Sequence, residues 1–280
     1  MLNLQASNLF SVQGRVVVII GGGSEGYFSR PGPDYGQAIA INGASKTFVL
    51  GRREDALRET AAPARDGVII PIKCDITSKE SLVSAYQALI AHISHVDILF
   101  ANGDLLGPLM RPPLPKADGT LPSLSEIRDE LFNVPMEEFT NVLDVNVTGS
   151  YYTVIITSSI AGFHRKVPFS YAYNASKAAT THIVKMLATN LSSYDIRLNG
   201  LAPGLYDSDM ANNGIVESGV QGGGISEGSF PRDMIPLTRS GSEEDFAGLI
   251  IWLASNSGGY VNGAVLLSDG GRVSVVPNTY

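Results

Sequence analysis

The residues Val16-Val17-Val18-Ile19-Ile20 run without a polar break into Gly21-Gly22-Gly23. A row of β-branched side chains leaves neither face for water, so this segment reads as a strand covered on both sides. Such strands belong to parallel sheets, and parallel neighbours need a crossover, usually a helix. The chain supplies that alternation. Helical text from Gln37 to Ile41 ends at Asn42-Gly43, and Thr47 to Leu50 is a second strand. Glu54 to Ala62 is predicted as a helix, Val68 to Ile72 as a strand, Ser81 to His92 as a helix and Val96 to Phe100 as a fourth strand. A helix starting near Pro135 and reaching Tyr152 precedes a strand over Val154 to Thr157. Tyr173 to Leu191, Ile196 to Asn199, Glu243 to Ala254 and Ala264 to Leu267 follow as helix, strand, helix and strand. The pattern implies an α/β fold, a doubly wound parallel sheet in a single domain over 1–280, with ligands at the carboxyl ends of the strands.

Two stretches stand outside the alternation. Residues 104–135 hold six prolines among polar residues and glycines, which reads as a long excursion. Residues 205–235 carry Gly222-Gly223-Gly224 and read as a mobile loop over a substrate.

Composition removes several function classes. Hydrophobic residues at 44% and charged residues at 17% describe a globular chain. A formal charge of -7 argues against binding nucleic-acid backbones, which takes clustered Lys and Arg. Cys74, the only cysteine, can form no internal disulfide, and its apolar setting makes it a buried bystander. The N-terminus shows no basic region followed by an apolar run, and Val16 to Ile20 is far short of the ~20 residues that span a bilayer. The expectation is a cytoplasmic protein with neither a membrane nor a nucleic acid as partner.

The glycine-rich turn after the first strand lets backbone approach a pyrophosphate at the start of the next helix. Gly21, Gly22 and Gly36 are the candidate glycines, unless the stretch is only a surface turn. At the end of the second strand an acidic residue would suit the 2′-hydroxyl of NAD, and an arginine a 2′-phosphate. The chain reads Leu50-Gly51-Arg52-Arg53, so Arg52 either forks onto the phosphate of NADP(H) or belongs to a solvated pair. Asp75, past the third strand, can accept from an adenine amino group, cap the turn with Thr77 and Ser78, or do both.

Tyr173 and Lys177 are four apart and share one helical face. A phenol with a pKa of about 10 is a poor acid or base at neutral pH, and a neighbouring ammonium favours its phenolate. The pair can then exchange a proton with an alcohol or carbonyl oxygen. Ser159, at the end of the fifth strand, can orient that oxygen, and Asn146 can hold a water beside Lys177. Taken singly, the serine also reads as a loop hydroxyl and the asparagine as a satisfied core group.

In order and spacing, the glycine turn, Cys74-Asp75-Ile76, Ala101-Asn102-Gly103, Asn146-Val147-Thr148-Gly149, Ser158 to Gly162, Tyr173 to Lys177, Asn199 with Pro203-Gly204, and Asp269-Gly270-Gly271 resemble the short-chain dehydrogenase/reductase superfamily over nearly the whole chain. The resemblance implies a Rossmann fold, NADP(H), a small carbonyl or alcohol substrate, hydride transfer, and a homo-dimer or homo-tetramer. It places a catalytic tetrad on Asn146, Ser159, Tyr173 and Lys177. Cofactor contacts would fall on Asn102 and Gly103 and, after the sixth strand, on Pro203, Gly204, Leu205 and Ser208. A secondary-metabolite or other small apolar ketone is the implied substrate, with Phe163, Phe169, Tyr206 and Met210 as candidate lining.

The sequence also departs from that pattern. Nine extra residues separate Gly21 from Gly36, with Asp34 where a glycine would stand, and only thirteen positions separate Asn146 from Ser159. These departures motivate a second reading, a dinucleotide-binding relative with impaired or no catalysis.

Overall fold

The computed structural model describes residues 4–21, 35–107, 116, 118–148, 155–165, 170–206 and 224–277. Its centre is a seven-stranded sheet in the order β3-β2-β1-β4-β5-β6-β7, with every neighbouring pair parallel. The strands are β1 (Val16–Ile20), β2 (Lys46–Gly51), β3 (Ile69–Lys73), β4 (Ile98–Ala101), β5 (Ile155–Thr157), β6 (Asn199–Pro203) and β7 (Val265–Ser268). The main helices are α1 (Ala6–Leu9), α2 (Tyr35–Ile41), α3 (Glu54–Ala61), α4 (Lys79–Ile90), α5 (Leu124–Phe132), α6 (Met136–Leu143), α7 (Tyr171–Leu191) and α8 (Glu243–Ala254).

β1 shows why the sheet is wound on both faces. Val17 and Ile19 pack in one layer with Ile39, Leu57, Phe246 and Ile250. Val16, Val18 and Ile20 pack in the opposite layer with Phe48, Leu50 and Ala85. All five β1 side chains are buried, which at roughly 2 kcal/mol each contributes about 10 kcal/mol. A third layer, Ile156, Ile183, Val184 and Leu198, fixes α7 against the sheet beside β5.

Most predicted elements are present, with three informative differences. β6 lies over Asn199–Pro203 instead of Ile196–Asn199. The apolar residues before it are tied elsewhere: the Ile196 N–H donates to Leu191 O, and the Arg197 guanidinium donates to Leu253, Gly258 and Val261 carbonyls. Gly200 then lets β6 lie between Val184 and Val265, whose methyls would meet a Cβ there at 3.1 and 3.3 Å.

The helix predicted from Pro135 to Tyr152 is regular only through α6, and continues as a π-helical turn over Asp144–Thr148. The short connection after Gly149 falls on residues outside the description. Third, the proline-rich excursion contains α5, started by a reciprocal capping box between Ser123 and Glu126.

Candidate active site

α7 carries the chemistry because its N-terminus and its neighbours are fixed. Ser170 caps it, accepting from the Tyr173 N–H at 3.4 Å. One turn on, Lys177 is fully buried, and its ammonium nitrogen sits 5.5 Å from the centre of the Tyr173 ring, itself only 4% exposed. The Ser158 hydroxyl donates to the Lys177 carbonyl at 3.1 Å. Gly162 closes the approach: a Cβ there would lie 2.7 Å from the Lys177 carbonyl carbon. The 3₁₀ turn Ile160–Gly162 therefore rests directly on the α7 backbone. Ser159 opens that turn, its hydroxyl oxygen accepting from the Ala161 N–H at 3.1 Å, and it is 6% exposed. Capping occupies a lone pair and leaves the hydroxyl proton for another acceptor.

The Lys177 ammonium makes two contacts, donating to the Thr157 carbonyl at the end of β5 at 2.9 Å and to the Asp104 carboxylate. The sequence pattern alone does not mark Asp104. The only available signal was a carboxylate placed directly after Ala101-Asn102-Gly103, at the carboxyl edge of the sheet. Burial pushes the Asp104 carboxyl up to about 6, against the opposing pull of Lys177. Burial likewise lowers Lys177 from its ordinary value, while Asp104 holds its proton on.

Asn146 lies in the π turn with no exposed surface. Its amide oxygen accepts from the Leu105 N–H at 2.8 Å, and its amide nitrogen donates to the Leu105 carbonyl at 2.9 Å and to Ser176 Oγ at 3.0 Å. Both ends of this amide engage the segment following Asp104. Asn146 thus positions the lysine's carboxylate partner.

Those predicted cofactor residues that are described lie along the same edge of the sheet. Gly21 has φ +80°, and a Cβ there would stand 2.6 Å from the Gly103 nitrogen, so it is required by the close passage of Asn102-Gly103. Asn102 is buried and accepts from Thr157 Oγ1 at 3.0 Å. Gly36, in the first turn of α2, lets that helix approach Val49, which would meet a Cβ at 3.1 Å. Arg52 is exposed at the end of β2, and its charge reaches Asp75 beyond β3. Asp75 caps its own turn, accepting from the Thr77 N–H at 2.9 Å and the Thr77 hydroxyl at 2.7 Å, contacts that lower its pKa.

Pro203 ends β6, the Gly204 N–H donates to Ser268 O at 2.8 Å, and Leu205 O accepts from the Gly241 N–H at 2.9 Å. Gly22, Ser208, Phe169 and Met210 lie outside the described residues. Tyr206 belongs to the core instead of a pocket wall: it is 2% exposed, packs edge-on against Phe246, and its hydroxyl lies 2.5 Å from Ser268 Oγ. Cys74 is 1% exposed with its thiol pushed up by burial, as a bystander should be.

A cavity of about 610 Å³ lined by Gln13, Gln37, Pro63 and Asp66 opens at the amino ends of the strands, away from this cluster. Titratable groups converge at the carboxyl end, and the site is assigned there. Among the described residues no group of His, Cys, Asp or Glu suits a metal, and no helix is long and apolar enough to cross a membrane.

A family model described as enoyl-(acyl carrier protein) reductase matches residues 35–272. The short-chain dehydrogenase/reductase PhomF of Diaporthe leptostromiformis is 37% identical, over 99% of this chain and 98% of its own. The chain is a short-chain dehydrogenase/reductase. Membership makes it a nicotinamide-dependent oxidoreductase of small carbonyl or alcohol substrates on a Rossmann fold. Its family relative SAT3 of Stachybotrys chartarum is 36% identical over 87% of this chain and 99% of its own. Among solved structures, the RhlG/NADP active-site complex of Pseudomonas aeruginosa superposes with a TM-score of 0.71 at 25% identity, covering 95% of this chain and 98% of that one. The PhomF alignment spans 305 positions against a chain of 280 residues, so at least 25 of those positions have no residue here.

Proposed function

We propose that this dehydrogenase/reductase uses NADPH to reduce a small apolar ketone of the kind found in secondary metabolism. The observation that carries the reading is the buried Tyr173–Lys177 pair, set beside the turn that Ser159 opens. NADP(H) suits the residues present. Arg52 stands exposed at the end of β2 with no carboxylate before Glu54, and RhlG was solved with NADP. Three strand spacings, about 14 Å, separate β2, which Arg52 follows, from β5, whose end carries the Lys177 ammonium, with β1 and β4 between them. Arg52 would hold the 2′-phosphate, and Lys177, which commits two of its three protons among the described residues, would give the third to the nicotinamide ribose.

Bound NADPH supplies the hydride. The Ser159 hydroxyl donates to the carbonyl oxygen and orients it. Tyr173 gives that oxygen its proton, and the Lys177 charge steadies the phenolate left behind. The phenolate regains a proton from solvent. In the oxidative direction Tyr173 takes the alcohol's proton instead. Phe163, half-buried after the Ser159 turn, supports an apolar substrate. As in the family, the active form would be a homo-dimer or homo-tetramer.

The test is NADPH consumption by the purified protein with aliphatic ketones, aryl ketones and quinones. Consumption that depends on the ketone and yields the matching secondary alcohol is expected. Tight NADPH binding with no turnover on any of them would overturn the reading and favour a cofactor-binding protein without catalysis.

A further inference from the structure

Lys177 holds a carboxylate that the reaction proposed above does not use. Asp104 is 5% exposed in its side chain and Lys177 not at all. One Asp104 oxygen accepts from the ammonium, and the other is buried with no hydrogen-bond partner. Such a half-satisfied ion is costly in a core, where it persists only when its partner and its backbone are both fixed. Both are fixed here. The Thr157 carbonyl holds the ammonium from β5, and Asn146 grips Leu105 through both its N–H and its carbonyl.

The groups facing Lys177 are then few. Among the described residues they are Tyr173 on its own helix, Asp104 from the loop after β4, and the neutral Thr157 carbonyl on β5. Among the described residues Asp104 is the one charge that shifts Lys177.

We propose that Asp104 is a positioning residue of the catalytic centre, fixing the Lys177 ammonium and keeping the Tyr173 phenol protonated, so that the resting site is set for reduction. The argument rests on the roles given to Tyr173 and Lys177 above. Without Asp104, a buried ammonium beside a phenol carries an uncompensated positive charge, and losing the phenol proton makes the site neutral. With Asp104, the site is already neutral with the phenol intact, and phenolate formation leaves a buried net negative charge. Low-dielectric surroundings favour the neutral arrangement in each case. Asp104 therefore opposes the effect that Lys177 alone would have on the phenol. It keeps an acid ready for a carbonyl oxygen.

The test compares wild type with Asp104→Asn, which keeps an oxygen for the ammonium, and with Asp104→Ser. Phenolate formation at Tyr173 is read by ultraviolet difference titration, with Tyr173→Phe subtracted in each background. This needs no substrate, so it fails or succeeds independently of whether the reaction is assigned correctly. Phenolate should appear at least about one pH unit lower in the Asp104 variants, a tenfold change in the proton equilibrium. The basic limb of kcat/KM for ketone reduction should move down with it. A purely structural Asp104 would alter melting temperature and leave both the phenolate titration and the basic limb in place. Unchanged titration in either folded variant would overturn the proposal. If neither variant folds, wild type still decides: Tyr173 phenolate appearing only at or above about pH 10, where a free phenol ionises, supports the proposal, and phenolate formed clearly below that overturns it.

Discussion

Asn146→Ala removes an amide from a site with no exposed surface, and the cost can be worked from its partners. Three hydrogen bonds disappear. Ser176 Oγ keeps its bond to the Tyr173 carbonyl at 2.8 Å and loses little. The Leu105 N–H and carbonyl lose the partner that satisfied both. Leaving buried polar groups unpaired costs about 1–3 kcal/mol each, so the variant should lose roughly 2–6 kcal/mol. For a chain of this size about 2–4 °C is lost per kcal/mol, which puts the fall in Tm at roughly 4–24 °C. Catalysis should fall as well, because Asp104 is tethered through Leu105 and Lys177 through Asp104. A displacement of about 1 Å at the reacting groups is worth up to ~10²-fold in kcat. Thermal melts and steady-state kinetics on one preparation test both parts, with Ser176→Ala as the control that leaves Leu105 paired. A Tm within about 2 °C of wild type, with kcat unchanged, would refute the assignment of Asn146 as the clamp on the Asp104 segment.

Three further outcomes follow from single features. Gly21→Ala should destabilise by at least about 2 kcal/mol in urea titration, because Gly21 combines φ +80° with 2.6 Å to the Gly103 nitrogen. Arg52→Ala should raise the KM for NADPH by about 10-fold or more and leave that for NADH within about twofold, as steady-state kinetics with both cofactors would show. His164, pushed down to about 4 by burial and by Arg272, binds fewer protons folded than unfolded between there and its ordinary 6.5. Its contribution to stability is complete above about pH 6.5 and is lost as pH falls towards 4, so His164→Gln should flatten that part of the stability–pH curve.

The fold was legible wherever local pattern and tertiary demand agreed. Glu243 to Ala254 matches α8 end to end, because Ser242 and Asp245 form a capping box and Ala254 is followed by Ser255. The β1 run needed no tertiary context at all. The pattern starts β6 three residues early and ends it four early, since Asn199-Gly200-Leu201-Ala202-Pro203 has poor strand propensity and is held by its place between β5 and β7. α5 was hidden by surrounding prolines, though Ser123-Leu124-Ser125-Glu126 spells its capping box.

In the site, the Tyr173–Lys177 spacing survives intact because a helix fixes both residues by itself. Gly21 was read as a phosphate contact, and its closest constraint is Gly103, eighty-two positions away in sequence. Asp104 stayed invisible for the same reason: a lone carboxylate after a strand means nothing until Lys177, seventy-three residues on, is folded against it.

The account stands or falls on Tyr173 as the proton donor. The direct measurement is single-turnover ketone reduction by Tyr173→Phe beside wild type, with NADPH affinity determined on the same samples. Removing a general acid should slow the reaction by about 10²–10⁴-fold while the Kd for NADPH stays within about threefold. Equal turnover by the two proteins would contradict it.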